Sequence, residues 1–155
     1  MSDNVQSDAH SEESSTQALH AHGPLRFAIP PSWSDQSTLM FAGPLSEGEQ
    51  QAPVVTVTFS LAKADARKTA VAEVERMAEA VADLKLMEEG PIETAFGEGW
   101  SVRVVVERGH LVLTQLTCTQ QVGPMMLLMT GLCEEAHYDA HKEALLQMMT
   151  SVRPS

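Results

Sequence analysis

The chain has 155 residues and 43% hydrophobic content, enough for one domain with a core and too apolar for wholesale disorder. Its 21 acidic residues outweigh 10 Lys and Arg for a net charge of -11. No basic stripe is available to release counterions from nucleic acid or to hold an anionic lipid surface. No run approaches the roughly 20 apolar residues of a spanning helix, so direct membrane insertion is not expected. The opening MSDNVQSDAHSEESS lacks the basic start and apolar core of a secretory signal, so a cytoplasmic location is expected.

Residues 1–23 are polar and acidic without an apolar period, and are expected to form a disordered tail before a single domain over 24–155. LRFAI (25–29) reads as a short strand stopped by Pro30-Pro31, because proline donates no ladder hydrogen bond. STLMFAG (37–43) is a second strand, and residues 43–53 are a loop by their Gly, Pro and polar content. VVTVTFSL (54–61) is β-branched and alternating, with Val55, Val57, Phe59 and Leu61 on one side and Val54, Thr56, Thr58 and Ser60 on the other.

The period then changes. Ala70, Val74, Met77, Val81 and Leu84 mark an amphipathic helix over about 66–83, with Asp65 placed to cap it. Extended pieces at 84–88 and 92–96 lead to a turn at Gly97-Glu98-Gly99. Three strands follow over 100–108, 110–121 and 125–132, joined so briefly that they should form an antiparallel meander. Glu134 and Glu135 are expected to open a last helix striped by Ala140/His141, Ala144/Leu145 and Met148/Met149. Strands, helix, strands, helix make an α+β domain: a curved antiparallel sheet packed with two main helices.

The chemistry-bearing residues are sparse. His137 and His141 are four apart with Glu134 nearby, but structural metal sites carry fuller ligand sets, and no HExxH is present. A solvated or half-buried helix face is the preferred reading, so no metal and no cofactor are expected. There is no Gly-x-Ser-x-Gly elbow, and Gly97-x-Gly99 precedes a strand rather than a phosphate-binding helix. Antiparallel pairing across Gly123-Pro124 sets Cys118 opposite about residue 128, which leaves Cys133 too distant for a disulfide. Trp33, after the Pro-Pro corner, reads as a core plug. No catalytic residue emerges, and an enzyme is not expected.

Apolar surface is in excess instead. Two helices of this length cover roughly one sheet face, yet Val102, Val104 and Val106 oppose Val105, and Met125, Leu127 and Met129 oppose Met126 and Leu128. One reading is full coverage by the protein's own loops and helix ends. The other is a hydrophobic surface kept open for a second chain, where methionines re-pack around varied partners.

FAIPPSWSDQSTLMF (27–41) sets an apolar strand, Ile-Pro, a tryptophan and Asp-Gln-Ser before another strand. This resembles the DcrB-related proteins, and most closely the effector-associated (Eag) chaperones of bacterial type VI secretion. The resemblance covers about residues 25–154 and implies a PsbP-like α/β sandwich acting as a homodimer. It implies a chaperone that shields the hydrophobic transmembrane segments near the start of a secreted effector and helps load that effector. Gln115 matches by position the family's client-touching strand glutamine. Alternation adds Val54, Thr56, Thr58, Leu113 and Thr117 as client-binding candidates. The alternative is a stand-alone PsbP-like structural or regulatory module without a hydrophobic client.

Overall fold

The computed structural model describes residues 19–22, 25–28, 30 and 38–154. The chain falls into two compact units, one ending at Asp35 and one running from Gln36. In the first, β1 (Leu19–His22) and β2 (Leu25–Ala28) pair as an antiparallel hairpin. Leu19–His22 therefore leave the tail expected over 1–23, while residues 1–18 lie outside the described residues. Trp33 and the Asp35-Gln36-Ser37 stretch also lie outside them.

The second unit is a six-stranded antiparallel sheet in the order β3-β4-β8-β7-β6-β5. Its elements are β3 (Thr38–Ala42), β4 (Val54–Leu61), α1 (Ala66–Ala80), β5 (Leu84–Thr94), β6 (Gly97–Arg108), β7 (Leu111–Val122), β8 (Met125–Glu134) and α2 (Tyr138–Thr150). A 3-10 turn, Glu135–His137, precedes α2. The α+β class and the meander β6-β7-β8 are as expected.

Local chemistry sets the boundaries. Asp65 caps α1, its Oδ1 accepting from the Lys68 amide at 2.8 Å. The helix ends three residues sooner than expected, because Val81 is already extended (φ -129°, ψ 122°) and Leu84 begins β5. The turn into β6 is Ala95-Phe96 rather than Gly97-Glu98-Gly99, since Thr94 pairs with Gly97. Gly99 belongs inside the strand, where a Cβ would stand 2.5 Å from the Thr119 carbonyl oxygen.

The helices do not share a face. On one side, Ala70 and Met77 of α1 pack against Val102, Val104, Val106 and Leu113. On the other, Leu145 and Met149 of α2 pack against Val55, Leu116, Cys118, Leu127, Met129 and Cys133. Each large apolar side chain so buried contributes about 1.5–3 kcal/mol. Gly131 lets α2 settle on β8, for a Cβ there would meet Met149 Cε at 3.0 Å and Leu145 Cδ2 at 3.1 Å. A sandwich with one helix per side leaves each sheet face covered over only part of its width.

The loop of residues 43–53 is pinned from afar. Glu134 accepts from the amides of Gln50 and Gln51 at 2.5 and 2.7 Å, so it fastens this loop rather than opening α2. The Glu49 side chain is fully buried; it accepts from the Ser46 amide and meets His141 Nε2 at 2.5 Å. His110 Nε2 lies 2.9 Å from Gln50 Oε1.

Candidate functional site

Formal charge is distributed unevenly across the sheet. β5 holds Lys85, Glu88, Glu89 and Glu93, and β6 holds Glu98, Arg103, Glu107 and Arg108. β3, β4 and β7 hold none, and β8 has only Glu134 at its end. Where α2 stops short over the charged half, Arg103 fills the gap. Its guanidinium lies 4.5 Å above the Tyr138 ring and reaches both Glu135 carboxylate oxygens at 3.3 Å.

On the α1 face, pairing registers align three rows across β3, β4, β8 and β7. They read Ala42–Val54–Leu132–Gln115, Met40–Thr56–Thr130–Thr117 and Thr38–Thr58–Leu128–Thr119. α1 covers the β7 end: Thr119 donates to the Ala66 carbonyl at 2.6 Å, and Leu113 and Thr117 are buried. Val54, Thr56, Thr58, Leu128, Thr130 and Leu132 are only half-buried, and Met40 is 68% exposed. The result is a trough floored by β4 and β8 and walled on one side by α1.

All six residues singled out from sequence lie on this one face. Val54, Thr56 and Thr58 form the open floor; Leu113 and Thr117 do not, because the Ala70–Met77 stripe of α1 lies over that part of β7. Gln115 sits at the boundary, half-buried, with Nε2 at 3.0 Å from Met77 Sδ and 3.2 Å from Thr117 Oγ1. Sequence reasoning missed Leu128, Thr130 and Leu132, which carry the centre of the floor. Their alternation was legible, but only the β4–β8 pairing shows them flanked by Val54, Thr56 and Thr58.

β4 and β8 have strands on both sides, so their backbone groups are engaged in the sheet. An occupant of the trough meets side chains: branched aliphatics, methionine and threonine hydroxyls that can donate or accept. Such a floor suits an apolar segment with occasional small polar groups, and the lack of charge spares that segment any desolvation of ions.

The opposite face also carries exposed apolar groups missed at the sequence level. Leu39, Phe41, Phe59 and Leu61 are 37–68% exposed beyond the margin of α2. A cavity of about 190 Å³ opens there between Phe41, Val55, Leu145 and Met148, with His141 on its wall.

Other chemistry is accounted for by packing. Burial pushes the Cys118 thiol up to about 12 and the Cys133 thiol up to about 11, and neither is bonded to the other. His141 is engaged by Glu49 and Glu134 by loop amides, so these residues and His137 do not converge as ligands. Among the described residues no three His, Cys, Asp or Glu side chains group around a common point. Nor is any described helix long and apolar enough to cross a membrane.

The DcrB family profile matches residues 25–151. A Pseudomonas aeruginosa protein of unknown function, suggested to be a regulator, superposes with a TM-score of 0.72 at 21% identity, covering 90% of this chain and 97% of its own. Cyanobacterial PsbP from Synechocystis gives 0.53 at 9% identity (94% and 95% covered). LpqN of Mycobacterium tuberculosis, involved in cell envelope biogenesis, gives 0.50 at 8% (88% of each). No curated protein matches. At these identities the solved structures share the PsbP-like fold with this chain.

Proposed function

Because this chain belongs to the DcrB family, we propose that it works as the effector-associated members resembled by its sequence do: a homodimeric, non-enzymatic adaptor-chaperone of the cytosol. Its client is the hydrophobic, transmembrane segment near the amino end of a type VI secretion effector, which it shields and helps to load. The carrying observation is the half-covered face over β4 and β8, where Val54, Thr56, Thr58, Leu128, Thr130 and Leu132 stand part-exposed in a charge-free half of the sheet. A membrane helix in water needs a surface to replace lipid, and a face of this composition supplies one without breaking the sheet. Gln115, half-buried at the edge of α1, supports the reading through an amide group able to exchange its bonds to Met77 and Thr117 for bonds to a client.

The experiment is co-expression with the amino-terminal fragment of the effector encoded beside it. A fragment that is soluble and co-purifies only with this chain supports the reading. A fragment that stays insoluble and uncaptured removes it, and a chain that also fails to bind a hydrophobic dye is then a structural or regulatory module without such a client.

A further inference from the structure

The two edges of the six-stranded sheet are built differently. β5 carries Lys85, Glu88, Glu89, Pro91 and Glu93, with a register shift between Leu86 and Glu88. Charge, proline and irregularity are the devices that keep a further strand from adding to an edge. β3 has none of them. Thr38–Ala42 is uncharged, regular in its pairing with β4, and exposed at every residue.

The uncharged stretch extends from Gln36 to Ser46, and the neighbouring strand β4 is uncharged as well. On a chain of net charge -11, like-charge repulsion opposes self-association wherever carboxylates would face one another. At this edge a second copy can approach with no carboxylate at the seam. A basic or acidic partner, by contrast, finds nothing here to pair with.

The strand is also complementary to itself. In an antiparallel pair centred on Met40, Leu39 stands opposite Phe41 of the second copy and Thr38 opposite Ala42, each pair formed twice by two-fold symmetry. Leu39 and Phe41 share the α2 face, by their partners Val57 and Val55. The cross-strand contact is therefore aliphatic against aromatic, a stabilising combination on a sheet surface. Phe41 also walls the cavity beneath α2, so Leu39 of the second copy arrives at the mouth of that cavity.

We propose that β3 is the seam of a homodimer, pairing antiparallel with β3 of a second copy so that one sheet runs through both. This deepens the dimeric chaperone reading by giving the dimer its interface, and is decided by mass rather than by client capture. The open halves of the two α1 faces then lie side by side, with an α1 at each outer margin.

Sedimentation velocity on the full chain at roughly 100 μM tests it. The wild type is expected at twice the 16.8 kDa chain mass. Met40→Lys is expected at the single-chain mass with an unchanged circular dichroism spectrum, whereas Leu86→Lys on the opposite edge stays dimeric. An independent variant guards against misfolding: Met40→Cys faces itself across the two-fold axis, at the roughly 4.5–5.5 Å Cα separation of opposed residues, within disulfide range. Mild oxidation should cross-link it to a dimer on a non-reducing gel, with the buried Cys118 and Cys133 leaving the wild type uncross-linked. A monomeric wild type, a dimeric Met40→Lys, or a Met40→Cys that stays uncross-linked overturns the seam. A monomeric wild type also removes the dimer from the chaperone reading, whereas a dimeric Met40→Lys or an uncross-linked Met40→Cys leaves that reading standing; client binding itself falls only if the fragment is not captured.

Discussion

Glu49 Oε1 and His141 Nε2 meet at 2.5 Å across 92 positions of sequence, tying the loop between β3 and β4 to the first turn of α2. The carboxylate is held below its ordinary value of 4.5, first by the Ser46 amide that donates to it and then by His141, with burial opposing both. A carboxyl group depressed by folding adds stability that is present above its unfolded value and lost as pH falls through the lowered one. Thermal unfolding should therefore show a Tm that declines on acidification below about 4.5. Glu49→Gln should lower Tm by several degrees at pH 7 and flatten that acid dependence; an unchanged acid limb would detach Glu49 from it.

The trough predicts a charge-sensitive interaction. Thr56→Glu and Thr130→Glu set a carboxylate at the centre of the floor, half-buried and without a basic partner on β3, β4, β7 or β8. Each should weaken capture of a hydrophobic effector fragment at least tenfold, about 1.4 kcal/mol, because the fragment must desolvate the new charge. Gln115→Ala should weaken it less. Co-purification yields against the wild type, with circular dichroism as the folding control, check both.

Two glycines should respond unequally to alanine. At Gly99 the added Cβ meets a backbone atom, the Thr119 carbonyl oxygen, which cannot move without disturbing β7. At Gly131 it meets the far ends of Met149 and Leu145, which can rotate. Urea midpoints should show Gly99→Ala destabilised by about 1–3 kcal/mol and Gly131→Ala by less. The reverse order would mean that α2 is the more rigid neighbour.

Cys118 and Cys133 should be silent thiols. With burial raising them to about 12 and 11, both are protonated at pH 8 and out of reach of a bulky reagent. An aromatic disulfide reagent should titrate neither in the folded chain and both after denaturation. Because folding raises these values, their effect on stability is absent near neutrality and becomes a loss only as pH climbs above the ordinary thiol value of 9.0.

Much of this arrangement could be read in the residues. The limits of β4, the cap at Asp65 and the alternation along β6, β7 and β8 follow from short-range rules and stand as expected. What escaped was long-range. The Ala70–Met77 stripe says that α1 buries a face, but not which side of the sheet receives it, so two helices on one side and one on each looked alike. Glu134 has the position of a helix-opening acid, yet its partners are amides more than 80 residues earlier. β5 read as two pieces because Gly90 and Pro91 look like punctuation, whereas an edge strand tolerates both. The six residues chosen for the trough share one side of the sheet, but alternation alone does not say which side stays open. Leu113 and Thr117 were hidden only by where α1 comes to rest.

The pinned loop of residues 43–53 carries a dynamic consequence. Its amides at Ser46, Gln50 and Gln51 end on carboxylates, one of them on the last residue of β8 and the other bonded to α2. Opening the loop therefore unfastens the start of α2 along with it, and deuterium should enter these three amides at the pace of the helix rather than of a surface turn. A stretch that composition marks as floppy keeps time with the core.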